Sequence, residues 1–210
     1  MSAAEHPHAH RAPVSHAEDD ALARRIALLP APAPRAEFAA LSHADLIARH
    51  RLGVECFDRR VFSLTDAQLD MAFLPDAGVG RWPCRVLLGH VADAEVENVH
   101  RMRRSVAEDQ PMLAAWDENA FIDAGLYGSD RPDRPGSRHP VGAFVAVIHT
   151  LRQWSSHWLA TLPDAAWARK ALHPERGEIT VRFIVEYNAW HLENHAWFLN
   201  RKVARLLERA

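Results

Sequence analysis

Along the last part of the chain, Val181, Ile184, Asn188, His191, His195, Phe198 and Lys202 follow one another at steps of three or four. That spacing keeps side chains on one stripe of an α-helix. Such a stripe faces a core, so the pattern demands a long helix with two imidazoles set where aliphatic side chains are expected. Residues four apart differ by ~40° in azimuth and lie ~6 Å apart along the axis, so His191 and His195 can converge on one ion. Leu87, His90, Ala94, Glu97 and Arg101 form a second stripe of the same kind. Facing helices would then supply one and two imidazoles. Three neutral nitrogens leave a fourth position for water or substrate, which is the arrangement of a catalytic rather than a closed structural site. The bland alternative, core histidines held only by hydrogen bonds, stays open at this point, although three buried imidazoles would leave several polar nitrogens to satisfy.

The rest of the chain reads as helices around these two. Ser42 can cap a first helix, with Asp45 three residues on as an approximate capping box and Ile47, Val54, Phe57 and Val61 on one stripe. A loop with Pro75, Gly78 and Gly80 precedes the second helix, which starts near Trp82 with Pro83 in its first turn and runs to about Val106. Residues 107–139 hold Pro111, Gly125, Gly128, Pro132, Pro135 and Gly136, the composition of a long crossover, and long connections often form lids or walls. The third helix, Val141 to Leu162, is stopped by Pro163, with Phe144, Ile148, Leu151, Trp154 or Ser155, and Trp158 inward. HPERGE at 173–178 makes a turn and Thr180 caps the fourth helix. No run alternates clearly enough for a strand. The expected fold is all-α, an antiparallel four-helix bundle with one long crossover and an irregular N-terminal tail.

Two regions are expected: a flexible His- and Pro-rich segment at 1–36, with His6, His8, His10, His16 and a short helical patch from Asp19 to Leu29, and the bundle domain at 37–210. The 210 residues suit one domain, and a formal charge of −2 with no basic stripe argues against nucleic acid as a partner. No apolar run approaches the ~18 residues of a membrane span. Cys56 and Cys84 stand 28 residues apart, with no knuckle or redox pair. The first residues lack the pattern of a secretory leader, and the expected compartment is the cytoplasm.

Competing chemistries fare worse. Glu97 and His100 make an ExxH, but a di-iron bundle needs a second one, and Asn188 and Leu192 occupy the positions that would serve His191 and His195. Leu192 follows His191, so no HExxH is formed. Neither a P-loop nor a GxGxxG is present. Glu97 could act as a base, or pair with Arg101 or Arg182. Arg101 could receive an anionic substrate, or snorkel at the bundle end. Asp93 could support an imidazole from behind.

Four stretches carry a resemblance: RWPCRVLLGHVADAE from Arg81, WDENAF from Trp116, HPERGEIT from His173 and EYNAWHLENHAWFL from Glu186. In order and interval they are similar to the YfiT-like branch of the DinB superfamily over roughly residues 60–200. The resemblance implies a four-helix bundle, often a homodimer, with one divalent ion on His90, His191 and His195. It also implies a metal-dependent hydrolase or a thiol S-transferase joining low-molecular-weight thiols to electrophiles. Zn²⁺ or Ni²⁺ is the expected ion, a small molecule the expected partner, and a non-catalytic metal- or ligand-binding bundle the rival. Related sequences often carry histidine where this chain has Gly89 and Asn194, positions expected to shape substrate choice rather than bind metal.

Overall fold

The structure, a computed structural model, describes residues 31–128 and 138–208. Four long helices form the bundle: α1 (His43–Leu52), α2 (Cys84–Ala107), α3 (Val141–Leu159) and α4 (Val181–Glu208). Short helical turns at Arg35–Ala39, Asp66–Leu69, Glu118–Asp123 and Asp164–Trp167 fill the connections. The His-rich segment and the patch at Asp19–Leu29 lie outside the described residues. Of the expected tail, Ala33 packs against the core and the Arg35 guanidinium lies 4.2 Å over the Phe183 ring. No helix among the described residues is long and apolar enough to cross a membrane.

Helix α2 packs on α3 and α4, and α1 packs on the same two, so α3 and α4 separate α1 from α2. Contacts fix the directions. His90 meets His191 while Asn98 meets Asn188, so α2 and α4 are antiparallel. Arg85 reaches His139, Arg152 reaches Glu95 and Arg103 lies over Trp154, so α2 and α3 run the same way. Parallel neighbours cannot be joined by a short turn, and 33 residues, 108–140, stand between the end of α2 and the start of α3.

Local chemistry sets the ends. The Ser42 side chain accepts from the Asp45 amide at 3.1 Å and starts α1. Thr180 likewise accepts from the Phe183 amide at 3.1 Å and starts α4. The sequence pattern runs α1 on to Val61, whereas the α-helix ends at Leu52 and passes into 3₁₀ turns at Gly53–Cys56 and Arg59–Ser63. Arg152 is the reason. Its Nη1 takes the His50 carbonyl at 2.7 Å, and a side chain on Gly53 would collide with the same atom.

Two further features depart from the expected pattern. HPERGE is the turn of an antiparallel hairpin, β1 (Lys170–His173) with β2 (Gly177–Thr180). Its strands are too short to show alternation, and Leu172 is apolar on the exposed side. The crossover is stitched to this hairpin through Leu113 N to Leu172 O at 2.8 Å and Leu172 N to Pro111 O at 3.0 Å. Helix α3 ends at Leu159, and its inward face is Ile148, Arg152, Ser155 and Ser156, with Trp154 turned out.

The apolar core is split in two. One cluster gathers Leu87, Leu88, Val91, Ile148, Leu192, Leu199 and Val203, and the other Val99, Met102, Leu159, Trp167, Ile184, Val185 and Ala189. A buried polar layer joins the helices at the level between them. Arg152 Nε donates to Glu95 Oε1 at 2.6 Å and Nη2 to the Asn188 carbonyl at 2.8 Å. The Asn188 amide donates to Glu95 Oε2 at 2.9 Å, and His50 meets Ser155 at 2.9 Å.

Removing one partner strands a buried charge, which typically costs about 3–5 kcal/mol, whereas replacing both by apolar groups costs far less. Arg152→Met is therefore expected to lose about 3–5 kcal/mol in urea unfolding, and adding Glu95→Leu to recover most of it. A single-variant loss under about 1 kcal/mol would contradict the role given to this layer.

Candidate metal centre

Helices α2 and α4 bring His90, His191 and His195 together, with one nitrogen from each lying within 4.8 Å of the others. His191 Nε2 is 3.3 Å from His90 Nε2 and 3.0 Å from His195 Nε2. Nitrogens bound at ~2.1 Å to a tetrahedral ion stand about 3.4 Å apart, so the spacing suits one shared cation. The donor set suits it too. His90 is 2% exposed and His191 9%, and burial pushes the His90 imidazole down to about 4 and the His195 imidazole to about 3. His191 is held well below its ordinary value, by burial first and then by its two neighbours. All three are neutral at pH 7, the protonation state a metal requires.

Aromatic rings surround them. Trp82 lies 4.9 Å from the His90 ring and 6.2 Å from that of His195. Trp116 stacks on His90 at 5.3 Å, and Tyr187 on His191 at 5.6 Å. A cavity of about 80 Å³ opens beside His191, lined by Ala94, Asn98 and Arg101 of α2, Trp116 and Glu118 of the crossover, residues of the hairpin, and Tyr187. The crossover thus serves as a wall.

The other expected site residues fall in different places. Arg101 lines the cavity, its Nη2 tied to the Ala114 carbonyl at 2.8 Å. Glu97 is ion-paired to Arg101 at 2.9 Å, one helical turn away, and does not line the cavity. Arg182 pairs with Glu186 instead. Asp93 makes no hydrogen bond to an imidazole among the described residues. Its carboxyl faces Tyr127 and is pushed up by burial. The Nδ1 atoms of His90 and His195 are buried without a hydrogen-bond partner among the described residues.

The model of the DinB superfamily matches residues 53–199. The chain belongs to the DinB superfamily. It is 29% identical over 133 residues to a Bacillus subtilis protein named "Putative metal-dependent hydrolase YfiT", covering 63% of this chain and 67% of that protein. An Oceanobacillus iheyensis protein with the same functional name is 26% identical over 136 residues, covering 64% and 70%. The solved structure of Bacillus subtilis YfiT, described as a probable metal-dependent hydrolase with an unusual four-helix bundle topology, superposes with a TM-score of 0.55 at 20% identity. It covers 96% of this chain and 94% of that one. That likeness supports the four-helix bundle fold.

Within this DinB bundle several site residues escape sequence reasoning. No spacing within α2 marks Glu95 or Asn98 as buried, and Arg152 of α3 with Asn188 of α4 accounts for the burial of Glu95. Trp116 opens the WDENAF stretch that carries the resemblance, but its spacing within the crossover gives it no role beside the histidines. Lys202 is fully buried, donating to the Gly80 carbonyl at 2.7 Å with Phe73 4.5 Å beneath it, and burial lowers it to about 8. At Gly89 a side chain would run into the Tyr127 ring, so Tyr127, 3% exposed, occupies the space that a histidine there would need.

Burial of neutral imidazoles has a consequence for folding. His50, His90, His191 and His195 all titrate below the ordinary histidine value. In the unfolded chain each takes its proton near pH 6.5, so below that pH the unfolded state binds more protons and stability falls as pH falls. Each group contributes up to about 1.4 kcal/mol per pH unit in that window. The metal-free protein is expected to unfold on acidification between about pH 6.5 and pH 4, followed by circular dichroism. Stability that is flat down to pH 4 would contradict the neutral, buried state of these rings.

Proposed function

We propose that the protein is a metal-dependent enzyme acting on a small molecule, with Zn²⁺ or Ni²⁺ held by His90, His191 and His195. The observation that carries this reading is the convergence of three neutral imidazoles, one of which, His191, lines a cavity. The ion would supply Lewis acidity and lower the pKa of a water or thiol at its remaining position. Hydrolysis stands first, supported by the names of the relatives; transfer of a low-molecular-weight thiol to an electrophile is the second form of the same chemistry.

The chain's own residues do the rest. Trp82 and Trp116 flank the imidazoles and keep bulk water from them, which strengthens electrostatic interactions at the reacting end. Arg101 presents its guanidinium to the cavity to receive an anionic part of the substrate. Glu97 orients that guanidinium through its ion pair, and this held position makes it a positioning residue rather than the base. Asp93 shapes the site through Tyr127.

Elemental analysis of the purified protein is expected to give one divalent ion per chain, lost in the His90→Ala, His191→Ala, His195→Ala triple variant. His195→Ala alone is expected to keep its helical circular dichroism, bind the ion at least tenfold more weakly, and lose turnover in screens of esters, amides and thiol-plus-electrophile pairs. A single variant that unfolds outright would favour a purely structural ion. Wild-type protein that binds an ion yet turns over nothing in any screen would favour the non-catalytic bundle.

A further inference from the structure

The cavity beside His191 extends to the β1–β2 hairpin, and the hairpin side has a composition that the metal chemistry does not use. His173, Glu175, Arg176 and Ile179 of the hairpin line it, with Arg101 from α2. Arg101 lies 11 residues beyond His90, ~16 Å along the helix axis, so the two ends are well separated.

His173 is the informative residue. It is 8% exposed, and its Nδ1 accepts the Glu175 backbone N–H at 3.2 Å. The proton of the neutral ring is thereby placed on Nε2, which becomes a fixed hydrogen-bond donor. Burial and the nearby charges of Arg101 and Arg176 hold the ring neutral. Among the described residues nothing accepts from Nε2. Arg176 lies 4.6 Å over the Tyr187 ring, which also stacks on His191 at 5.6 Å. Its guanidinium has no ion pair among the described residues. A donor with no acceptor and a cation with no anion thus meet at one end of the cavity, connected to the histidines through a single tyrosine.

We infer that this end is a second subsite, formed by His173 and Arg176 with Arg101, which binds the carboxylate of an elongated substrate whose reacting group lies at the three histidines. A planar guanidinium and a ring N–H match the two oxygens of one carboxylate. Glu118 and Glu175 also line the cavity and disfavour a multiply charged anion. The near end of this assignment rests on the metal reading, whereas the far end does not.

The test uses full-length protein loaded with zinc and two matched probes, mercaptohexanoate and mercaptohexanol, titrated calorimetrically. The carboxylate probe is expected to bind about tenfold more tightly, as one charge-assisted pair allows. Arg176→Gln and His173→Phe are expected to abolish that advantage while leaving zinc content and mercaptohexanol binding unchanged. Equal binding of the two probes to wild type, or an advantage that survives in both variants, overturns the subsite. If zinc does not bind, the metal reading fails by itself. Adipate titrated into the metal-free protein, followed by tryptophan fluorescence, then decides the subsite. Saturable binding weakened in Arg176→Gln supports it, and absence of binding overturns it.

Discussion

One buried guanidinium holds the architecture in register. Arg152 is fully buried, and it bonds to a carbonyl of α1, a carboxylate of α2 and a carbonyl of α4 from its place on α3. Apolar contacts alone tolerate small slides and rotations of helices, but a buried charge does not tolerate losing its partners. A shift of any helix by one residue would break at least one of these bonds. Asn188 lies one turn before His191, and Glu95 lies five residues after His90. The register that satisfies Arg152 is therefore the register that brings the imidazoles of two helices together. Stability and the metal centre depend on the same contact.

The division of labour along the bundle follows from this. Apolar clusters on either side of the polar layer supply the burial that drives folding. The long crossover lets α3 run beside α2 in the same direction, and it brings Trp116 and Tyr127 over the face that carries His90. The hairpin closes the opposite end of the cavity. What results is a cavity with the imidazole cluster behind His191 and with Arg101 and Arg176 among its lining, built on helices and walled by connections.

Most of the framework could be read from the sequence because helical periodicity is local. The starts at Ser42 and Thr180, the entry at Pro83, and the inward placement of His90 on α2 and of His191 and His195 on α4 each depend on spacings within a single helix. What escaped depends on partners distant in sequence. Nothing within α2 says that Glu95 is buried, since its reason is Arg152, 57 residues on. The end of α1 at Leu52 is imposed by the same arginine. Trp116, His173 and Arg176 lie on connections, where side-chain direction is set by packing rather than by a repeat, and four-residue strands carry too little alternation to be seen. The roles of Glu97 and Asp93 turned on side-chain contacts, which periodicity does not specify.

The central claim is that two helices deliver three imidazoles to a single ion. X-ray absorption at the zinc edge of the reconstituted protein addresses it directly. About three imidazole nitrogens at ~2.0–2.1 Å are expected, with one exchangeable water oxygen completing the shell. A spectrum showing one imidazole or none, or an ion coordinated mainly by carboxylate oxygens, would contradict it.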